Sequence, residues 1–392
     1  MSFPSIRLKP GRDKSLRARH PWVFSGGLQP AEIAPGSCAR ILSAEGEFLA
    51  LAYVNLGISL AARVISFRDC SPEQAVRENI RAAVRYRQAL FRNGEVNAYR
   101  LVNAEGDQLP GLIVDAYAGH LVLQIGSLGM QNLRELVIDE LQTLLTPRAI
   151  LERSDSSSRA EEGLAAEERL WSGELPEALV VQEYGLKLEV NLRQGQKTGL
   201  FLDQREMRRA VGQYVQQFSC RSLLNCYCYS GGFSLQAVQA GCPQVVSVDT
   251  SKDALQQLSR NIELNQQQPG RHSLVREDVA DYLTKTSEQF DAIVLDPPAF
   301  VKGRQHITQG CKGYRRINQL AFERLKPGGV LWTFSCSYHL DEKLFRQLLF
   351  QSAAEARREV QVLQSMQHAL DHPVSLYHPE GAYLKGVMLR VQ

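Results

Sequence analysis

From Leu223 onward the chain repeats one pattern: a short apolar run, a polar or glycine-containing loop, then an amphipathic stretch of helical period. "RSLLNCYCYSGGFSLQAVQAG" reads as strand, loop and helix, and "QVVSVDTSKDALQQLSRNIELN" as strand and helix. "SLVREDVADYL" reads as a short strand and a turn. "FDAIVLDPPAF" is a buried strand ending in a polar loop, "GYRRINQLAFERLKPGG" a helix and its stop, and "VLWTFSCS" another apolar strand. The helix "LDEKLFRQLLFQSAAEARR" and two strand-like runs close the chain. Strands alternating with helices specify a parallel, doubly wound α/β sheet. Ligands of such sheets bind beyond the carboxyl ends of the strands, so the chemistry is expected at those ends.

The first strand ends at Asn225 and enters a loop containing Ser230, Gly231, Gly232 and Phe233. The second ends at Asp249, followed by Thr250 and Ser251; the third leads to Asp278 and Val279. Paired glycines let a backbone approach a ligand closely. They do not complete G-x-G-x-x-G, which disfavours a dinucleotide pyrophosphate and a nicotinamide oxidoreductase. Asp249 lies roughly twenty residues after the first strand, where an acid receives ribose hydroxyls. A nucleoside without phosphates fits this set: S-adenosylmethionine, with its methionine part on the glycine loop, its ribose on Asp249 and its adenine near Asp278. The competing readings are local ones: glycines as turn formers, and Asp249 as a helix cap.

The fourth strand ends in Asp296-Pro297-Pro298 and the fifth at Cys336. Two prolines stiffen the backbone after the acid, and a rigid polar pocket there suits a planar amine or ring nitrogen. A capped turn is the plainer alternative. Carbon-5 of a pyrimidine is a poor nucleophile, and a thiolate adding to carbon-6 activates it by covalent catalysis. Amine methylation would use Asp296 and have no need of Cys336. A buried strand-end cysteine with no role is the competing reading.

The preceding residues are organised differently. Arg7, Lys9, Arg12, Lys14, Arg17 and Arg19 surround one acid, Asp13, ahead of "HPWVFSGG" and several short apolar runs. This reads as a small β-rich module ending near Phe67. An aromatic residue beside guanidinium groups suits RNA stacking and phosphate contact, against the plainer reading of a solvated face. "SPEQAVRENIRAAVRYRQALF" is a helix with Ser71 at its cap. "GLIVDAYAGHLVLQIG" is two strands joined by a turn, and "NLRELVIDELQTLL" a helix. The Ser/Glu-rich segment "ILERSDSSSRAEEGLAAEERLWSGELP" is expected to be an exposed loop or linker.

The 392 residues carry a net charge of only +3, so any basic surface is local. Eight cysteines without regular spacing, no secretory signal and no apolar run of membrane-spanning length imply a cytoplasmic protein with reduced thiols, no metal site and no membrane.

"NCYCYSGGF", "VVSVDTS", "VREDV", "VLDPPAF" and "FSCS" resemble the methionine-loop, ribose, adenine, target-base and nucleophile motifs of the cytosine-5 ribosomal RNA methyltransferases. "KSLRARHPWVFSGG" and "RQGQKTGLFLDQR" are similar to one branch of that family, which acts on the large ribosomal subunit. The resemblance covers nearly the whole chain. It implies a PUA-like RNA-binding domain (1–70), a central α+β domain (71–185) and a Rossmann-like class I methyltransferase domain (186–392). It also implies S-adenosylmethionine as cofactor, a cytosine of large-subunit (23S) ribosomal RNA as substrate, and a homodimer. Carried over residue by residue, Cys336 is the nucleophile and Asp296 binds the target base. Lys197, Thr198, Phe201, Asp203, Gln204 and Arg205 join Asn225, Ser230–Phe233, Asp249–Ser251, Asp278, Val279 and Asp296 around the cofactor. Ala299 departs from the pattern, which has Lys after the two prolines; Lys302 is nearby. "DPPAF" offers no second cysteine, so the base that removes the carbon-5 proton is unassigned.

Two stretches have separate physical readings. Asp203 and Glu206 have capping-box spacing for a helix "QREMRRAV". Lys197 suits either the methionine carboxylate or an RNA phosphate. Arg12, Lys14, Arg17, Arg19, Lys302, Lys312, Arg315 and Arg316 are candidate RNA contacts. An amine methyltransferase on the same fold and a non-catalytic RNA-binding assembly factor remain open alternatives.

Overall fold

The computed structural model describes residues 3–195, 197–301 and 303–392. They fall into two compact units: Met1–Gln182, Val190–Asp203 and Leu370–Gly381 form the first, and Glu183–Glu189, Gln204–Ala369 and Ala382–Gln392 the second.

The first unit carries two five-stranded sheets. The N-terminal one is ordered Ser5–Arg7, Cys38–Leu42, Phe48–Val54, Ala62–Ser66, Trp22–Val23. The other is ordered Glu167–Gly173, Ala149–Ser154, His120–Ile125, Leu112–Tyr117, Ala98–Asn103. The helix Pro72–Leu90 begins where expected, with the Ser71 hydroxyl accepting the Gln74 N–H at 3.1 Å. It buries Val76, Ile80 and Val84 in a core that includes Leu51, Tyr53, Leu101 and Leu121.

The Ser/Glu-rich segment is no linker. Its ends are the paired strands Ala149–Ser154 and Glu167–Gly173, with a short helix, Ser157–Glu161, between them. Its buried acids are tolerated because they are partnered. Buried Glu152 accepts from Trp171 Nε1 at 3.0 Å, and buried Glu162 accepts from Asn55 Nδ2 at 3.0 Å and pairs with Arg63. Composition reports polarity; it does not report that each polar group has a partner.

The second unit is the α/β sheet expected from the alternation. Its strands are β1 (Ser222–Cys226), β2 (Gln244–Asp249), β3 (His272–Arg276), β4 (Phe290–Leu295), β5 (Leu325–Ser335), β6 (Val360–Met366) and β7 (Lys385–Val391). The helices are α1 (Arg205–Phe218), α2 (Gly232–Gln239), α3 (Lys252–Leu264), α4 (Val279–Lys285), α5 (Ile307–Glu323) and α6 (Glu342–Glu355). Sheet order is β3-β2-β1-β4-β5-β7-β6, parallel except that β7 runs antiparallel between β5 and β6. Side chains alternate between faces. Leu224, Val246, Ile293, Leu295 and Leu331 enter one core cluster, and Leu223, Val245, Val294, Trp332 and Phe334 the other.

Two segments differ locally from the expectation. "VREDV" leads into a helix, α4, because Asp278 caps it by accepting the Ala280 and Asp281 N–H groups at 2.8 and 3.2 Å. Residues "LKPGG" do not only stop α5; β5 already begins at Leu325. Among the described residues, no helix is long and apolar enough to cross a membrane.

Candidate active site

The strand order reverses between β1 and β4, which opens the crevice where such sheets bind ligands. After β1 the backbone makes a tight loop in which Tyr227, Tyr229 and Gly231 have φ of +58°, +47° and +82°. Two non-glycine residues in the left-handed region cost about 1–3 kcal/mol each, a strain that collects at functional sites. Gly231 has no substitute here: a Cβ would sit 2.1 Å from Leu258 Cδ1. At Gly232 it would sit 2.5 Å from Arg208 Cδ. The glycine pair therefore packs tightly as well as turning, and the bare backbone of the loop starts α2.

Asn225 is fully buried at the end of β1. Its Nδ2 donates to Ser234 Oγ at 2.8 Å, and Ser234 Oγ bonds Ser247 Oγ at 2.7 Å. Among the described residues its Oδ1 has no hydrogen-bond partner, a costly state for a buried acceptor unless a ligand donates to it. Ser230 is held by its carbonyl, which accepts from Asn261 Nδ2 at 3.1 Å.

Asp249 is half-buried. Its Oδ2 accepts the Tyr229 N–H and its Oδ1 the Ser251 N–H, both at 2.9 Å. Asp249 thus pins the glycine loop to β2. The cap of α3 is Ser251, whose hydroxyl accepts the Ala254 N–H at 3.2 Å, and not Asp249. Thr250 is exposed between them, and Asp278 and Val279 lie where β3 turns into α4.

Asp296 ends β4, half-buried, and its Oδ1 accepts from Gln204 Nε2 at 2.8 Å. The structure thereby joins two residues that the sequence places 92 positions apart. On the neighbouring strand β5, Thr333 pairs with Leu295, so Cys336 stands just past the end of β5, one strand from Asp296. Cys336 is half-buried at the edge of the cluster containing Phe233 and Phe334. Cys226 and Cys228 are buried, and burial pushes both thiols up, as inert core thiols require.

The stretch from Lys197 to Arg205 divides between the units. Lys197, Thr198, Phe201 and Asp203 belong to the first, Gln204 and Arg205 to the second. The capping box is absent: the cap of α1 is Gln204, without a side-chain bond to the helix. Asp203 is used by Lys197 instead, whose Nζ lies 2.8 Å from Oδ2 and 4.5 Å from the centre of the Phe201 ring. Thr198 bonds Tyr117 OH at 2.7 Å and donates to Asp115 Oδ2 at 2.5 Å. Arg205 is buried beside Glu206, 3.3 Å away.

Of the candidate RNA contacts, Arg12, Lys14, Arg17, Arg19, Lys312 and Arg316 are exposed and Arg315 half-exposed, while Lys302 lies outside the described residues. Arg17 is committed to Asp13 and Glu47, at 2.6 and 2.5 Å, and Arg19 lies over the Phe67 ring at 5.5 Å. Arg12 lines a cavity of about 250 Å³ with Trp22, Phe24 and Gly26.

Sequence reasoning missed Arg208 and Tyr314. Arg208 is buried on α1, bidentate to Glu183 at 2.6 Å on both oxygens, and supports Gly232. Tyr314 is fully buried on α5 between the loops carrying Asp296 and Cys336. It stands inside "GCKGYRRIN", among charged residues; a tyrosine directly after two closely spaced glycines, Gly310 and Gly313, was the signal available.

Residues 157–376 match the model of an S-adenosylmethionine-dependent methyltransferase family, and residues 6–67 that of a PUA-like domain. The chain is 40% identical to ribosomal RNA large subunit methyltransferase I of Salmonella arizonae, covering 100% of this chain and 98% of that one. It is 41% identical to the protein of the same name from an Enterobacter species, covering 99% and 100%. The chain belongs to this family of methyltransferases. Among solved structures, SMU.776 complexed with SAH superposes with a TM-score of 0.85 at 21% identity, covering 99% of this chain and all of that one. A SAM-dependent methyltransferase from Streptococcus mutans gives 0.84 at 21% over the same shares, and both show the fold. The enzyme is an S-adenosylmethionine-dependent methyltransferase, and the crevice fits that cofactor: a buried acceptor on Asn225 that no described residue satisfies, and a carboxylate at the end of β2.

Proposed function

We propose that this enzyme methylates carbon-5 of a cytosine in large-subunit (23S) ribosomal RNA through a covalent adduct on Cys336. The observation that carries the reading is the pairing of a half-buried Cys336 with Asp296 at the ends of adjacent strands. An amine methyltransferase would have no use for the thiol. Asp296, held by Gln204, binds the exocyclic amine or ring nitrogen of the base. The Cys336 thiolate adds to carbon-6, and the electron pair of the 5,6 double bond moves into the ring. Bound S-adenosylmethionine supplies the methyl group as an electrophile. Carbon-5 takes the methyl, a base removes the carbon-5 proton, and the Cys336–carbon-6 bond breaks, restoring the double bond and the thiolate.

In this reading the cofactor lies against Asn225, Ser230, Gly231, Gly232, Phe233, Asp249, Thr250, Ser251, Asp278, Val279 and the Lys197–Arg205 stretch. Residues 1–70 act as the RNA-binding module, supported by the PUA-like match and the basic N-terminal segment. Residues 71–185 form the central domain, and 186–392 the catalytic one. Arg12, Lys14, Arg17, Arg19, Lys302, Lys312, Arg315 and Arg316 contact phosphates. The enzyme works in the cytoplasm, as a homodimer.

The test is to incubate the protein with labelled S-adenosylmethionine and protein-free large-subunit RNA, digest, and identify the nucleoside. 5-Methylcytidine is expected; a methylated purine or an N-methylated cytidine overturns the assignment.

A further inference from the structure

Asp296 and Cys336 sit on separate loops, and chemistry at one pyrimidine requires that both loops hold a fixed spacing. Ser337 stands at the junction. Its hydroxyl accepts the Val301 N–H, from the end of the Asp296 loop, at 3.2 Å. The same hydroxyl lies 2.9 Å from Tyr314 OH. On the other side of Cys336, Ser335 donates to Tyr314 OH at 3.0 Å and accepts the Ser337 N–H at 3.3 Å. One tyrosine hydroxyl therefore grips the residues before and after the thiol. Lys385, opposite Ser335 on β7, donates its Nζ to the Ser337 carbonyl at 2.7 Å.

Helix α5 completes the assembly. A Cβ at Gly310 would lie 2.4 Å from Val301 Cγ2 and 2.8 Å from the Phe300 carbonyl, and one at Gly313 would lie 3.0 Å from Phe300 Cδ2. The Phe300 and Tyr314 rings are 4.8 Å apart. The glycines of "GCKGY" thus let the helix press onto the loop after Asp296 while Tyr314 reaches the Cys336 turn. Tyr314, Ser335 and Ser337 are all fully buried, so no water competes for these bonds.

We propose that Tyr314, Ser337 and Lys385 are positioning residues that lock the Cys336 turn to the Asp296 loop, so that thiol and carboxylate address the same base. This rests on the covalent reading above. It assigns to the "GCKGY" segment a role in the chemistry that is separate from any phosphate contact of its neighbours. Burial pushes the Lys385 ammonium below its ordinary value, opposed by the nearby Cys336 and Asp341, which agrees with a lysine set beside the thiol.

The test uses the full-length protein and a large-subunit RNA transcript containing 5-fluorocytidine, in which the carbon-5 fluorine blocks release of the enzyme after methyl transfer. Adduct formation with saturating S-adenosylmethionine is followed on denaturing gels for wild type, Tyr314→Phe, Ser337→Ala and the double variant. Each single variant is expected to slow the adduct by about 100-fold, the scale of an ångström-sized misplacement. Affinity for S-adenosylmethionine and for RNA should stay unchanged, and the double variant should be no slower than the singles, since both act through one junction. The proposal is overturned if either single variant reacts at the wild-type rate. It is also overturned if adduct and cofactor binding are lost together, because the network would then be merely structural. Wild type that methylates ordinary RNA but never forms the adduct would instead refute the covalent reading itself.

Discussion

Replacing Arg208 by Met should destabilise the second unit by about 3–5 kcal/mol, the cost of removing one partner from a buried ion pair. The magnitude follows from the surroundings. Arg208 is 3% exposed and Glu183 1%, and they share two bonds of 2.6 Å. Met keeps much of the apolar stem that packs under Gly232, so the loss isolates the charge, leaving the Glu183 carboxylate buried without its cation. For a unit of this size each kcal/mol moves the melting point by about 2–4 °C, so a drop of roughly 6–20 °C is expected. Calorimetric melting measures it. The companion variant Arg208→Met/Glu183→Met removes both charges and should recover most of the loss, because two matched apolar side chains can replace a buried pair at little cost. A single variant that melts within 2 °C of wild type, or a double variant no better than the single, would refute the argument.

Three further outcomes are expected. Cys336→Ala should lower methylation by at least about 10³-fold while leaving S-adenosylmethionine binding intact by calorimetric titration. Gly231→Ala forces a Cβ to within 2.1 Å of Leu258 at φ +82°, so melting should show a loss of about 1–3 kcal/mol, with weaker cofactor binding. Burial at the start of β3 lowers the His272 pKa from 6.5 to about 4. Between those values the folded state keeps the ring neutral while the unfolded chain takes up a proton. Stability contributed by this residue should therefore fall as pH drops from 6.5 toward 4, and His272→Gln should flatten that part of the melting-versus-pH curve.

Much of the catalytic half is legible in the linear order of residues. The alternation of apolar runs and amphipathic stretches specifies the sheet, because period 2 and period 3.6 leave different marks and parallel strands need crossovers. The carboxyl end of each strand then picks out Asn225, Asp249, Asp278, Asp296 and Cys336 without coordinates. Local chemistry was legible where donor and acceptor are close in sequence, as at Ser71. It failed where a nearby-looking pairing lost to a better partner, as when Asp203 went to Lys197 instead of capping α1.

What only the tertiary structure decided are the partnerships between distant segments. The bond of Gln204 to Asp296, the Arg208–Glu183 pair, and the Tyr314–Ser337–Val301 junction join residues that no periodicity relates. The Ser/Glu-rich segment became sheet for the same reason: its acids found Trp171, Asn55 and Arg63. Sequence pattern encodes which face of an element is apolar, since burial of that face is a property of the element alone. Which polar groups satisfy each other depends on distances set only once every element has packed, and that is where the spacing of this active site is determined.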